Sequence, residues 1–293
     1  MQGARQTPAL DAVSRGGVKM LSLAAGCEGG ALSGVMDLSV VIPVKNEAGN
    51  IAPLVAEIDA VLNRLLRYEI VYVDDGSTDA TADEIRRAQA RLPQLRLVRH
   101  DRSHGQSAAI RSGVRAARGR WIATLDGDGQ NDPADIPVLW RIKQDAAAEP
   151  RLLLVGHRAR RRDSWSKRQA SRIANAVRRR MLHDETPDTG CGLKLFPRAL
   201  FLDLPYFDHM HRFLPALVLR QGGAVRSVPV NHRPRQRGVS KYGVLDRLGV
   251  GIADLLGVMW LRRRNHTTPS RSEMPTSSRS STPYFDVPRR RAR

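Results

Sequence analysis

A chain of 293 residues can bury a large core, which suits one α/β domain with appendages or two small domains. Its 48 lysines and arginines outnumber its 29 acidic residues, and the formal charge of +19 favours a surface that faces phosphates, lipid head groups or nucleic acid. Two cysteines, Cys27 and Cys191, exclude a disulfide framework and indicate a reducing compartment, and no charge-free apolar run is long enough for a transmembrane helix.

Short apolar runs alternate with helical segments from residue 38 onward. Strands are predicted over 38–43, 68–75, 95–100, 120–126 and 151–156, and amphipathic helices are predicted between them. This alternation predicts βαβ crossovers and an α/β fold with a mainly parallel sheet flanked by helices. In such sheets, ligands bind where the loops leave the carboxyl ends of the strands.

The composition of the chain predicts four parts. Residues 1–36 lack a packing pattern and are predicted to be a disordered extension, and 37–242 form the folded domain. An amphipathic helix is predicted over 243–264. The segment 265–293 is rich in Ser, Thr, Pro and Arg, and is predicted to be a disordered basic tail.

An acidic, glycine-rich segment, "TLDGDGQNDP", follows the fourth predicted strand. An EF-hand loop would place Asp126, Asp128 and Gln130 at its first, third and fifth positions. That pattern fails, because Asn131 stands where glycine is required and Pro137 stands where glutamate is required. Two alternatives are left: a plain turn, which Asp and Gly favour, and a divalent-metal site that bridges a diphosphate.

The ends of the neighbouring strands favour the metal site. "VVIPVKNE" ends the first strand with Glu47, and "VDDGSTD" ends the second with Asp74 and Asp75. Alone, the second motif is weak evidence, because Ser77 or Thr78 is also a natural helix N-cap. Carboxylates at three strand ends with βαβ spacing indicate one site at a single sheet edge.

Seven motifs together support a specific resemblance: "VVIPVKNE", "VDDGSTD", "HGQSAAIRSG", "TLDGDGQNDP", "DTGCGLKLF", "HRFLPAL" and "HRPRQRGVSKYG". On these motifs, residues 37–264 resemble a family 2 glycosyltransferase with the GT-A fold. Within that family, the chain is similar to polyprenyl-phosphate (dolichol-phosphate-type) mannosyl- or glucosyltransferases. The resemblance implies a Rossmann-like GT-A sheet and inverting transfer of a hexose to polyprenyl phosphate. The implied donor is a nucleotide sugar of the GDP-mannose or UDP-glucose type, and the implied cofactor is Mg²⁺ or Mn²⁺.

The resemblance also implies which residues bind the nucleotide. Pro43, Val44 and Glu47 would line the nucleotide pocket. Asp75 would face the base or the ribose, and Asp74 is the second choice for that role. These residues all lie at the ends of the first two predicted strands.

The implied donor-sugar and diphosphate site uses the acidic segment. Asp126 would lie beside the ribose and the donor sugar, and Asp128 with Gln130 would hold the metal on the diphosphate. Arg235 and Lys241, in "RQRGVSK", match the donor-phosphate clamp of the family, and a guanidinium can bind phosphate oxygens bidentately. Asp126 and Asp128 are therefore expected to be catalytic.

The implied acceptor-phosphate site is basic. Arg158, Lys167, Arg168 and Ser171 lie where the family binds phosphates, and Arg158 is expected to be catalytic. The run 160–162 can equally be a solvated charged face.

The acceptor class is predicted from a missing acidic pair. Many soluble family 2 enzymes place Glu-Asp after the region that matches "DTGCGLKLF", and its Asp deprotonates a sugar hydroxyl. Here that region reads "DHMHRFLPAL". A phosphate monoester is already anionic near neutral pH and needs no strong base, which favours polyprenyl phosphate.

Two other functions are the alternatives. One is a family 2 transferase that acts on a saccharide hydroxyl in cell-envelope polysaccharide synthesis. The other is a basic nucleic-acid-binding protein, but no aromatic strip or nucleic-acid motif supports it. It would also leave the carboxylates at the strand ends unexplained, so no nucleic-acid partner is expected.

The segment 245–264 departs from the family, which often carries C-terminal transmembrane helices. Asp246, Arg247 and Asp254 interrupt any span, while apolar residues recur at helical spacing. The segment is predicted to be an interfacial helix on an anionic leaflet or a helix packed on the catalytic domain. The expected location is therefore cytoplasmic, peripheral to the inner face of the cell membrane.

Overall fold

The structure is a computed structural model that describes residues 36–146, 148–158, 178–184, 186–234 and 246–264. The predicted tail and nearly all of the predicted N-terminal extension lie outside the described residues. The domain boundaries proposed at residues 36, 242 and 264 therefore stay predictions.

Seven strands and seven α-helices occur within the described ranges. The strands are β1 (Leu38–Val44), β2 (Tyr68–Asp74), β3 (Leu95–Arg99), β4 (Trp121–Thr124), β5 (Leu152–Arg158), β6 (Lys194–Pro197) and β7 (Ala224–Val230). The helices are α1 (Ile51–Leu62), α2 (Thr81–Gln89), α3 (Gln106–Ala116), α4 (Ile136–Asp145), α5 (Arg198–Leu202), α6 (Leu214–Arg220) and α7 (Asp246–Arg263).

The strands form one sheet in the order β3-β2-β1-β4-β6-β5-β7. All neighbouring pairs are parallel except those of β6, which runs antiparallel to both β4 and β5. The predicted mainly parallel sheet with flanking helices is therefore confirmed. β6 is not predicted from the sequence, because this strand has only four residues and the first of them is a lysine.

Two apolar clusters cover the two faces of the sheet. Val40 and Ile42 of β1 belong to the cluster under α1, α2 and α4, whereas Val41 belongs to the cluster under α3, α5, α6 and α7. Because helices cover both faces, β1 and β2 need apolar residues on both sides. This burial explains why "VVI" and "IVYV" are nearly continuous apolar runs rather than alternating ones.

The C-terminal helix packs on the second of these clusters. Val258 is fully buried, and Leu255 and Met259 pack against the same cluster. The guanidinium Nε of Arg220 on α6 also donates to the Leu261 carbonyl at 3.0 Å. In the part of the chain that the structure describes, no helix combines the length and apolar character needed to cross a membrane.

Close packing of α3 on the sheet depends on Gly113. A Cβ at this position would meet Cγ1 of Val41 and lie 2.9 Å from Cγ2 of Val73. Gly257 on α7 is a matched helical glycine, since a Cβ there would meet no atom within 4 Å.

We expect Gly113→Ala to lower the free energy of unfolding relative to Gly257→Ala by about 1–3 kcal/mol. Both substitutions gain the same helix propensity of about 1 kcal/mol, and only the first overpacks the core. Urea denaturation of the two variants and the wild type measures the difference. Equal stabilisation by both substitutions would show that α3 can move away from β1 without cost.

Candidate active site

A cleft of about 560 Å³ opens at the carboxyl ends of the parallel strands. This is the sheet edge at which the sequence predicts a ligand site. Eight predicted site residues line the cleft: Pro43, Val44, Glu47, Asp75, Asp126, Asp128, Gln130 and Arg158. Five others lie outside the described residues: Lys167, Arg168, Ser171, Arg235 and Lys241.

The loop after β1 is held by side chains of the "DDGSTD" motif and of the first residue of α2. The backbone amide of Asn46 donates to Ser77 Oγ, and the amide of Glu47 donates to Thr81 Oγ1, each at 2.9 Å. Asn46 has a positive φ of 54°, which asparagine tolerates better than most residues. The hydroxyl of Ser77 therefore joins two cleft loops instead of capping α2.

Asp75 organises the loop between β3 and α3. Its carboxylate accepts hydrogen bonds from His100 Nδ1, Ser103 Oγ and the His104 amide, each at 2.8 Å, and from the Gly105 amide at 2.9 Å. Burial raises the pKa of Asp75, but these hydrogen bonds outweigh burial and lower it overall. Asp75 is thus an ionised anchor for the cleft wall, and its contact with a nucleotide stays a prediction.

Asp74 is fully buried and does not line the cleft. It accepts a hydrogen bond from the Ser77 amide at 2.8 Å and forms an ion pair with Arg99 Nε at 3.2 Å. These contacts give Asp74 a structural role in the turn after β2. Of the two neighbouring carboxylates, only Asp75 is placed to face a ligand.

The acidic loop after β4 brings two carboxylates to the cleft. Asp126 accepts a hydrogen bond from Gln106 Nε2 at 3.0 Å, and Asp128 accepts one from the Gln130 amide at 3.1 Å. Burial and the charge of Asp128 raise the pKa of Asp126 to about 6, against the opposing effect of Lys194. The loop therefore concentrates negative charge where little water screens it.

The antiparallel strand β6 presses a second loop against the acidic loop. Lys194 pairs with Thr124 in the sheet, and Thr124 Oγ1 donates to the Gly192 carbonyl at 2.6 Å. A Cβ at Gly192 would meet the Asp126 carboxylate and lie 2.7 Å from Asn131 Oδ1, so only glycine fits. The motif "DTGCGLKLF" indicated a family resemblance, but its spacing alone did not reveal this contact.

Lys194 is a buried cation in the cleft wall. Its side chain is only 5% exposed, and its Nζ donates to the Cys191 carbonyl. Burial lowers the pKa of Lys194, while the charge of Asp126 opposes that shift. Lys194 is not predicted from the sequence, since a lone lysine inside an apolar run carries no distinctive signal.

Cys191 itself is fully buried, in agreement with a packing role.

Arg158 is fixed in the cleft by Asp188. Its Nε and Nη2 donate to the two carboxylate oxygens of Asp188 at 2.6 and 2.8 Å, a bidentate geometry. A second buried pair, Arg178 Nε with Asp184 Oδ2 at 3.2 Å, supports the loop that carries Asp188. Asp188, Arg178 and Asp184 are not among the site residues predicted from the sequence.

Arg233 ties the segment after β7 to the acidic loop. Its amide donates to the Gln130 carbonyl at 2.9 Å, and its guanidinium contacts Asp132 Oδ1 and Glu57 Oε2, each at 2.6 Å. An isolated antiparallel bridge between Asn131 and His232 adds to this contact. The chain therefore passes the acidic loop immediately before the predicted clamp begins.

Asp128 and Gln130 suit a cation that also binds phosphate. Mg²⁺ and Mn²⁺ take hard oxygen ligands, and Mg²⁺ is often held by one or two carboxylates together with phosphate oxygens and water. Asp128 offers a buried carboxylate and Gln130 a side-chain amide in the same wall of the cleft. Among the described residues, no three or more His, Cys, Asp or Glu side chains are grouped so that they could hold a metal ion.

The family model "Glycosyl transferase family 2" matches residues 39–204 of the chain. The chain belongs to this family. It is 39% identical over 233 residues to the dodecaprenyl-phosphate galacturonate synthase of Rhizobium johnstonii, covering 78% of this chain and 68% of that relative. It is 35% identical over 212 residues to the undecaprenyl-phosphate 4-deoxy-4-formamido-L-arabinose transferase of Edwardsiella ictaluri, covering 71% and 63%. The matches thus span about two thirds of the length of these relatives.

Solved structures confirm the GT-A fold of this family 2 glycosyltransferase. The mannosyl-3-phosphoglycerate synthase of Rubrobacter xylanophilus has a TM-score of 0.59 at 17% identity, covering 82% of this chain and 79% of that chain. The glucosyl-3-phosphoglycerate synthase of Mycobacterium tuberculosis, in complex with Mn²⁺ and UDP-glucose, has a TM-score of 0.55 at 20% identity, covering 78% and 79%. At these identities the likeness establishes the fold alone.

We expect Asp126→Asn to stabilise the ligand-free enzyme at pH 7.5 but not at pH 4. The folded pKa of Asp126 is about 6 and lies above its ordinary value of 3.8. Between these values the folded protein holds a proton that the unfolded chain has released, so wild-type stability falls as pH rises. The full effect is roughly 2–3 kcal/mol, reduced by residual solvent screening.

Urea denaturation in EDTA at both pH values measures this difference. Asp145→Asn, at an exposed position at the end of α4, controls for the general loss of a negative charge. If the gain in the free energy of unfolding from Asp126→Asn does not increase between pH 4 and pH 7.5, the raised pKa of Asp126 is wrong.

Proposed function

We propose that this family 2 glycosyltransferase transfers a sugar, with inversion, from a nucleotide-sugar donor to a polyprenyl phosphate. The observation that carries the proposal is the pairing of opposite charges in one cleft. Asp126 and Asp128 lie on the acidic loop, while Arg158 and Lys194 lie on the adjacent strands. Two relatives that are at least 35% identical are named for polyprenyl-phosphate acceptors, which supports the same acceptor class here.

The acidic loop would receive the donor. Asp128 and Gln130 would hold Mg²⁺ or Mn²⁺ on its diphosphate, and such an ion supplies charge neutralisation that makes the nucleotide a better leaving group. Asp126 would orient the donor sugar from its position beside Gln106. Arg235 and Lys241 would contact the donor phosphates, because the chain enters their segment beside Gln130.

The basic wall of the cleft, which carries Arg158 and Lys194, would receive the acceptor phosphate. The new bond forms between a phosphate oxygen of the acceptor and the anomeric carbon, while the bond from that carbon to the diphosphate oxygen breaks. Arg158 would offset repulsion between the two anions, together with Lys167, Arg168 and Ser171. The acceptor oxygen is already anionic, so the step needs no protein base.

The described segment 207–214 agrees with a phosphate acceptor. Among its residues, His211, Arg212 and Leu214 line the cleft, and no carboxylate of this segment does. A saccharide hydroxyl would need a group to accept its proton at this point. This segment therefore favours a phosphate acceptor over a hydroxyl.

Incubation with radiolabelled sugar nucleotides and undecaprenyl phosphate tests the function directly. The panel should hold GDP-mannose, UDP-glucose and a uronic-acid sugar nucleotide, since the sugars named for the relatives differ from those that the motifs imply. We expect solvent extraction to recover labelled lipid only when the acceptor carries its phosphate. Label transfer to a saccharide without lipid would contradict the proposal.

We expect Asp128→Asn to abolish the gain in nucleotide affinity that Mn²⁺ provides. The substitution removes a carboxylate that would bind the ion but keeps the size of the side chain. Calorimetry with UDP or GDP, with and without Mn²⁺, measures this gain. For the wild type, we expect Mn²⁺ to strengthen binding of one nucleotide at least tenfold, about 1.4 kcal/mol.

Asp145→Asn provides the control for this experiment, because Asp145 ends α4 at an exposed position. That variant should keep the full gain from Mn²⁺. If Mn²⁺ still strengthens nucleotide binding to Asp128→Asn by the full amount, other residues bind the metal.

We also propose that α7 docks the enzyme on an anionic membrane surface. Ile252, Leu256 and Trp260 are 53%, 54% and 58% exposed, and their spacing of four residues aligns them on one helix face. Arginines at 262–264 follow this apolar stripe, and the Arg264 guanidinium lies 5.0 Å from the Trp260 ring centroid. An apolar stripe beside basic residues suits the interface of a bilayer with anionic lipids.

The two sequence-based alternatives for this helix are thus compatible. One face of α7 packs on the domain through Val258, while another face is exposed. A peripheral location at the cytoplasmic face of the membrane is part of the proposal, because the acceptor lipid stays in the bilayer.

We expect the triple variant Ile252→Ser, Leu256→Ser and Trp260→Ser to bind anionic liposomes at least tenfold more weakly than the wild type. Burial of three such side chains would contribute several kcal/mol, at about 1.5–3 kcal/mol for each fully buried side chain. Flotation with phosphatidylglycerol vesicles at low and high salt measures binding. Val138→Ser, at an exposed apolar residue on α4, is the control. Equal flotation of the triple variant would contradict docking through α7.

A further inference from the structure

His211 lines the cleft and is tied to the start of α3. Its Nδ1 lies 2.7 Å from Ser107 Oγ, and its backbone amide donates to the same oxygen at 3.3 Å. Ser107 is itself buried. The two contacts join segments that are 104 residues apart in the chain.

The contact with Ser107 fixes the tautomer of the imidazole. A hydroxyl can accept two hydrogen bonds but has only one proton to donate, and the buried Ser107 hydroxyl needs an acceptor for that proton. Among the described residues, His211 Nδ1 is the only acceptor that the Ser107 hydroxyl reaches, so the hydroxyl proton points to Nδ1. In a neutral imidazole with an accepting Nδ1, the ring proton sits on Nε2.

The surroundings keep this imidazole neutral. Burial lowers the pKa of His211 well below its ordinary value, and the charges of Lys194, Arg212 and His209 lower it further. These three neighbouring groups are all basic. His211 therefore presents an N–H donor but no basic nitrogen to the cleft near neutral pH.

Apolar residues of α3 and α6 border the same cleft. Ala109 and Ile110 of α3 and Leu214 of α6 also line the cleft. A nucleotide sugar has little apolar surface to place there, whereas a prenyl phosphate joins a phosphate to a hydrocarbon chain. The positive field of Lys194 and Arg212 favours a negative oxygen beside the Nε2 proton.

We propose that His211 binds the acceptor, donating a hydrogen bond from Nε2 to its phosphate, and that Ser107 locks the tautomer that makes this possible. The proposal rests on the function proposed above and adds two residues to it. In this role His211 is not a general base, because its only basic nitrogen is occupied by Ser107. The first prenyl carbons lie along the side of the cleft that Ile110 and Leu214 border.

Nitrogen-15 NMR of the histidine side chains tests the tautomer of His211 without any ligand. The chain has eight histidines, and His211→Gln identifies the signals of His211 by their loss. We expect the wild type to show the Nε2–H tautomer from pH 6 to pH 8. Ser107→Ala should release the ring into a mixture of tautomers or lower its Nε2–H fraction. An Nδ1–H tautomer or a protonated ring in the wild type would overturn the inference.

Binding of farnesyl phosphate, a short soluble prenyl phosphate, tests the ligand. We expect His211→Ala to weaken binding about tenfold or more, because a hydrogen bond to a charged group is lost. His211→Gln keeps an N–H donor and should lose less, about threefold. Ser107→Ala should fall between the two. Thermal melts confirm that each variant is folded.

Three controls separate the possible ligands and the possible failures. His209→Gln changes a histidine two residues away that does not line the cleft, and should leave binding unchanged. Farnesol and inorganic phosphate should each bind far more weakly than farnesyl phosphate. Equal binding of inorganic phosphate would assign the site to free phosphate instead of a lipid phosphate and would overturn the inference.

The remaining outcomes distinguish this inference from the proposed function. If the wild type and folded His211→Ala bind farnesyl phosphate equally, the role of His211 is wrong and the proposed acceptor class stands. If the wild type does not bind farnesyl phosphate at all, the acceptor class and the role of His211 fail together.

Discussion

The pairing of Lys194 with Thr124 is the interaction on which the active-site cleft depends. It places one antiparallel strand, β6, between β4 and β5 in an otherwise parallel sheet. The loop before β6 is thereby pressed against the acidic loop after β4, and Lys194 comes to lie beside Asp126. Without this strand, the basic and acidic walls of the cleft would not share an edge.

The cleft balances charges that are costly when alone. A buried carboxylate or ammonium loses several kcal/mol of hydration unless a partner compensates it. Lys194 and Arg158 both oppose the rise in the pKa of Asp126, and Arg158 is itself held by Asp188. Acidic and basic groups with shifted pKa values in one cleft are more typical of binding and catalytic sites than of structural ion pairs.

The regular part of the fold could be predicted from the sequence, because its causes are local. The apolar runs of β1, β2, β4 and β5 follow from a sheet covered on both faces. Each of the five predicted strands, including the edge strand β3, agrees with the observed one within a few residues. The strand ends then brought Asp75, Asp126 and Asp128 to one edge, as topology requires.

The rest of the site depends on contacts between distant segments, which spacing cannot reveal. Asp74 and Asp75 are adjacent in "VDDG", yet their surroundings differ. Asp74 is paired in β2 and buried in the turn that follows, whereas Asp75 lines the cleft. Lys194 and Asp188 lie in a motif that showed the family, yet their partners are set by β6. The exposed stripe on α7 likewise depends on which face the domain covers.

The close approach at Gly192 constrains how the active site can change over evolutionary time. Any side chain at this position would collide with Asp126 and Asn131, so a mutation here is tolerated only after those residues have shrunk or moved. Asp126 is the residue proposed to orient the donor sugar, so the preceding change would itself disturb donor binding. A side chain at position 192 therefore requires a compensating change at Asp126 or Asn131, and we expect the two loops to diverge together.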